Sequence, residues 1–123
     1  MLGYRNLEVW QRAKELAIVV YRLTKEFPME EKYALASQIN RAVISIASNL
    51  AEGTSRSSPR EQARFTEIAY GSLMETACQI DIANELGYLN DDTHAGVLTK
   101  IEELAVKITK YRKSQVGRSR SDR

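Results

Sequence analysis

Apolar residues recur every three or four positions through most of the chain, in four runs separated by turn-forming residues, the pattern of amphipathic helices. The first run, Trp10, Ala13, Leu16, Ala17, Val20, Tyr21 and Thr24, follows Asn6, which suits a helix N-cap, and ends before Phe27-Pro28. The second opens at Glu30 and Glu31, whose carboxylates suit the positive end of a helix dipole. It carries Leu35, Ala36, Ile39, Val43, Ile46, Ala47 and Leu50 to Gly53, where a left-handed backbone is expected to stop it. Ser58-Pro59-Arg60-Glu61 reads as a capping box with proline in the first helical position, so a third helix starts there and runs to Leu86, stopped by Gly87. Asn90-Asp91-Asp92 opens the last, with Val97, Leu98, Ile101, Leu104, Ala105, Ile108 and Tyr111 inward and a pattern that fades after Arg112. Short turns between four helices predict an all-α, antiparallel up-down-up-down four-helix bundle over residues 1–113, followed by a disordered basic tail over 114–123.

The third run is more apolar than one buried face requires. Projected at 100° per residue, Phe65, Ala69, Leu73, Thr76 and Ile80 form one stripe, Ile68, Ile82 and Leu86 a second, and Tyr70, Met74 and Cys78 a third. A lone subunit would expose that surplus, so a symmetric homo-oligomer is the expectation, with Gly71 and Ser72 allowing close approach of another helix.

Composition narrows the classes of function. The chain has 123 residues, enough for one domain with a real core, and its 43% hydrophobic content contains no run long enough to span a membrane. The start, Met-Leu-Gly-Tyr-Arg-Asn, lacks the apolar stretch of a secretory signal, and a cytoplasmic location is expected. Cys78 is the only cysteine and His94 the only histidine. A carboxylate-bridged di-metal site needs Glu-x-x-His pairs, and nucleophilic catalysis needs a base held by a third group; the chain supplies neither, so no metal, cofactor or enzymatic activity is expected. His94 reads as a surface or capping residue, and Cys78 as a small hydrophobe suited to a subunit interface.

One polar cluster stands out. Ser45, Asn49 and Glu52 stack along one side of the second helix, and antiparallel pairing can bring Ser72 and Glu75 of the third to meet them, with Arg41 compensating a carboxylate. The expected role is a hydrogen-bonded network that fixes helix register; the competing reading, acid–base catalysis by Asn49, Glu52 and Glu75, needs a pocket that reaches them.

Several motifs, taken together, resemble a known family. They are Leu7-Glu8-Val9-Trp10-Gln11, Phe27-Pro28 with Tyr33 and Leu35, Gln38-Ile39-Asn40-Arg41-Ala42, Ser45 through Gly53, and Ala69 through Thr76. The chain is similar to small bacterial four-helix-bundle proteins, some encoded by intervening sequences within 23S ribosomal RNA genes. The resemblance implies a pentameric ring without assigned enzymatic activity, and a distant likeness to the accessory protein of diversity-generating retroelements, which engages a reverse transcriptase and nucleic acid. Asn40 departs from the family pattern, which more often has a basic residue there.

Charge then suggests where a partner would bind. The net charge of +2 hides a basic end, where Arg5, Arg56, Arg60, Arg64, Lys110, Arg112 and Lys113 oppose Glu8, Glu52 and Glu61. The other end carries Glu26, Glu30, Glu31, Glu85, Asp91 and Asp92 against Lys25 and Lys32. A cyclic oligomer would multiply the basic end into a rim able to hold nucleic-acid phosphates through Arg56, Arg60, Arg64, Lys110, Arg112 and Lys113, with little aromatic surface for base stacking. The alternative is a protein-interaction adaptor that docks a partner enzyme such as a reverse transcriptase.

Overall fold

The computed structural model describes residues 2–121. Among them are four α-helices and no strand: α1 Glu8–Thr24, α2 Leu35–Gly53, α3 Pro59–Glu85 and α4 Asp91–Ser121, with short 3₁₀ turns at Gly3–Asn6 and Met29–Glu31. Contacts join α1 to α2, α2 to α3, α3 to α4 and α4 back to α1, and buried side chains from all four form one core. Val20, Ile39, Val43, Ile46, Leu73, Ile80 and Ile108 are fully buried in it. Each such side chain stabilises the fold by roughly 1.5–3 kcal/mol through removal from water.

The helix starts differ in how they are made. Ser58 accepts a hydrogen bond from the Glu61 amide at 3.1 Å with Pro59 in the first turn, as the capping box predicts. Asn90 likewise accepts from the Thr93 amide at 2.7 Å. Asn6 is not the cap of α1: it closes the 3₁₀ turn, and Leu7 precedes the helix without a side-chain cap. The second helix starts later than Glu30 and Glu31 suggest, because those residues form a separate turn from which Glu31 reaches the Leu35 amide at 3.4 Å.

The two expected glycine stops have different causes. Gly87 has φ +83, and the Tyr88 and Gly87 amides bond to the carbonyls of Ala83 and Asn84, the pairing of a left-handed helix stop. Gly53 has no such backbone and remains helical. It is buried because α3 passes closely: a Cβ on Gly53 would lie 3.0 Å from the Phe65 Cβ and 3.4 Å from the Gln62 carbonyl oxygen.

The largest departure from the sequence pattern is at the C-terminal end. Helix α4 continues to Ser121 instead of ending near Arg112, at about 1.5 Å per residue some 13 Å further. Gln115 is buried and accepts a 2.7 Å hydrogen bond from Thr66 on α3, so a disordered tail does not begin at 114. Asp122 and Arg123, also assigned to that tail, lie outside the described residues. Tyr21, expected inward, is 40% exposed.

Candidate nucleic-acid interface

The contacts between helices set which side chains share an end. Glu8 pairs with Lys107, Arg112 with Glu67, and Gly53 lies against Phe65. These gather the start of α1, the end of α2, the start of α3 and the later half of α4. Residue numbers rise along α2 as they fall along α3, since Ser45 meets Ser72 while Gly53 meets Phe65. The same holds for α3 and α4, where Thr66 meets Gln115 and Asp81 meets His94.

Of the seven cations expected at the basic end, the six assigned to phosphate binding lie there, but they are not equivalent. Arg56 pairs with Glu52 at 2.9 Å and lies 4.6 Å from the centroid of the Phe65 ring. Arg112 pairs with Glu67, and its Nε is buried without an acceptor among the described residues. Glu8 meets Lys107, whose hydrogen bond and charge hold the carboxyl below its ordinary range. Arg60, Arg64, Lys110 and Lys113 are exposed, and no carboxylate among the described residues lies within ion-pair distance of them. Glu8, Glu52 and Glu67 are thereby matched by cations, Glu61 beside Arg60 is exposed outside any ion pair, and these four cations together with exposed Arg5 supply the surplus positive field. Arg60 and Arg64 also sit in the first two turns of α3, near amides that favour anions.

The polar cluster is smaller than expected. The hydroxyls of Ser45 and Ser72 are 2.9 Å apart, and the Asn49 amide donates to the Ser45 carbonyl at 2.8 Å and to its hydroxyl at 2.9 Å. Glu52 points to Arg56, exposed Glu75 has only Gln79 beside it at 3.4 Å, and Arg41 is exposed without a carboxylate partner among the described residues. None of the three joins the network, because each turns toward solvent where water satisfies its charge at lower cost. Asn49, Glu52 and Glu75 do not converge.

His94 bonds Asp81 at 2.8 Å and so links α4 to α3. Cys78 is exposed, as are Ile68, Tyr70, Met74, Ile82 and Leu86, so both surplus apolar stripes of α3 face outward. Sequence reasoning missed two features. Gln115 sits beyond the last apolar repeat, and Tyr70 places an aromatic ring at the basic end, in a groove lined with Arg112 and Lys113. Its i, i+3 spacing from Glu67, the partner of Arg112, is the one sequence signal for that placement. Among the described residues, no group of three or more His, Cys, Asp or Glu side chains is placed to hold a metal ion, and no helix is long and apolar enough to cross a membrane.

Four helices closing a single core, with an uncovered apolar helix face and a cationic end, define a class of small all-α proteins. Within it, the chain belongs to the 23S rRNA-intervening sequence protein family, which it matches over residues 5–110. A solved structure from Bacteroides thetaiotaomicron, a protein of unknown function from the S23 ribosomal protein family, is similar with a TM-score of 0.79. The two are 21% identical, and the match covers 85% of this chain and 98% of that one, a likeness of fold. No curated protein matches the chain.

Proposed function

We propose that the protein is a non-enzymatic, cytoplasmic up-down-up-down bundle that assembles into a cyclic homo-oligomer and grips nucleic-acid phosphates with its basic end. The observation that carries this reading is the set of four unmatched cations, Arg60, Arg64, Lys110 and Lys113, held at one end of the fold. Cations outside ion pairs gain most from displacing the counterions of a phosphate backbone. Assembly is supported by two apolar patches on different helices. One is Met74, Cys78 and Ile82 on α3 with Ile68 and Leu86 beside them; the other is Ile18 and Tyr21 on α1 with Ile44 on α2. Unlike patches that bury each other repeat head to tail and close into rings, and family resemblance makes five the subunit number.

The test is a salt titration of binding to a labelled oligonucleotide. Affinity falls steeply with salt, and replacing the four cations by glutamine flattens the slope by up to about one unit per residue. Binding that is indifferent to both salt and the four substitutions would overturn the proposal.

A second reading draws on the opposite end, where Met29 is 83% and Tyr33 88% exposed beside Glu30 and Glu31. Apolar residues this open suit an adaptor that docks a protein partner, such as a reverse transcriptase, through the acidic end. Under this reading Tyr33→Ser abolishes partner binding while the cation substitutions leave it intact.

A further inference from the structure

We propose that the groove between α3 and α4 at the basic end binds one unpaired nucleotide of a single strand, with its base stacked on Tyr70 and its phosphate held by Lys113. The inference rests on the phosphate-binding reading above and adds to it a preference for single strands over duplexes.

The groove has a volume of about 300 Å³ and is lined by Glu67, Tyr70, Ile108, Thr109, Arg112 and Lys113. That is the small end of the range for ligand sites, room for a single planar group and too little for a duplex. Its surfaces divide the work of holding a nucleotide. Tyr70, 37% exposed, gives the groove its accessible apolar surface, and Ile108 behind the lining is fully buried. The two cations come from successive positions on α4, Arg112 and Lys113, and they differ in what they can still do. Arg112 is held by Glu67, which fixes its planar guanidinium within the groove and leaves the Nε–H without an acceptor among the described residues. Lys113 is exposed and unpaired, free to follow a phosphate. The Thr109 hydroxyl donates to the Ala105 carbonyl at 2.8 Å, so its oxygen is left to accept a hydrogen bond from a base or sugar.

An exposed aromatic ring beside an unpaired cation, with a hydroxyl oxygen left to accept, matches a base attached to a phosphate. Every base has a π face, so stacking gives affinity without sequence preference. In a duplex the bases are already stacked and paired, and Tyr70 could reach none of them without unstacking. Met74, Cys78 and Ile82 lie about 40°, 80° and 120° around α3 from Tyr70 at 100° per residue, so Tyr70 sits at the edge of that outward line rather than at its centre.

The experiment is fluorescence anisotropy with a labelled oligouridylate and a labelled duplex of equal length at one salt concentration, using the full chain. Tyr70→Ala weakens oligouridylate binding about tenfold and leaves duplex binding unchanged; Tyr70→Phe, which keeps the ring, binds as wild type. Lys113→Gln weakens both. Wild-type affinity for the single strand from Tyr70→Ala overturns the nucleotide site while the phosphate reading stands. Failure of the unsubstituted protein to bind either probe removes both. Photocrosslinking of a 4-thiouridine oligonucleotide to the unsubstituted protein tests the site even where Tyr70→Ala fails to fold: crosslinks map to Tyr70, and crosslinks confined to Arg60 and Arg64 overturn the proposal.

Discussion

Thr66 on α3 donates a 2.7 Å hydrogen bond to Gln115 on α4, and both side chains are at most 1% exposed. A buried amide with a partner costs little, but one without a partner costs the desolvation of the group left behind. The pair therefore ties the last turns of α4 to the body of the fold. Gln115→Ala is expected to lower stability by about 1–3 kcal/mol, and a chain ending at Lys113 by at least as much. Urea denaturation followed by circular dichroism measures this; an unchanged midpoint in the shortened chain would show that the extension of α4 is ornamental.

Gly53 tests whether close approach outweighs helix propensity. Alanine at a helical position normally gains up to about 1 kcal/mol over glycine. Here the added methyl meets the Phe65 Cβ at 3.0 Å and the Gln62 carbonyl oxygen at 3.4 Å. Both atoms are fixed to the α3 backbone, so relief requires α2 and α3 to separate. Gly53→Ala is expected to be destabilising by about 1–2 kcal/mol net, the scale of overpacking in a core. A higher melting temperature for this variant would mean that the helices part at little cost.

The polar network makes a graded prediction. Asn49→Ala removes two hydrogen bonds to Ser45 and should cost about 1–2 kcal/mol, whereas Glu52→Gln and Glu75→Gln, both exposed, should stay within about 0.5 kcal/mol of wild type. Thermal melts of the three variants rank them; equal losses would place Glu52 and Glu75 back in the network.

Self-association should depend on the outward face of α3. Ile82 is 47% exposed and lies one turn from exposed Cys78, so a charge there is harmless to a single subunit but must be desolvated in an interface. Ile82→Glu is expected to give single subunits in sedimentation velocity with unchanged helix content. An assembly indifferent to this substitution would locate the interface elsewhere.

Alkaline pH should loosen the fold at both ends, through Tyr88 at one and Tyr111 at the other. The Tyr88 hydroxyl donates to Glu31 at 2.8 Å, and that bond, then burial and the charges of Glu31 and Glu30, push the phenol above its ordinary value of 10.0. Burial likewise raises Tyr111, partly offset by the charge of Arg118 and a hydrogen bond with Gln115. The folded chain keeps these phenols neutral where the unfolded chain would lose the proton. Their contribution is thus complete below pH 10 and drains away as pH rises through the folded values. Melting temperature is expected to fall above pH 10, less steeply in Tyr88→Phe.

The number and order of the four helices, and both ends of α3, could be read along the chain, because a repeat of three and four residues, a capping box at Ser58 and a glycine stop at Gly87 are local features fixed by neighbouring residues. So could the two uncovered stripes of α3, since counting apolar positions around a helix needs no partner. What the linear pattern could not supply is the rotation and register of one helix against another. Those decide that Gly53 is needed for Phe65 rather than for a turn, that Ser72 reaches Ser45 while Glu75 misses it, that Gln115 finds Thr66 and carries α4 past the end of its apolar repeat, and that Tyr70 lines the groove that Arg112 and Lys113 share. Each of these is a match between residues far apart in the chain, and the energy of such a match exists only once the core has brought the helices together.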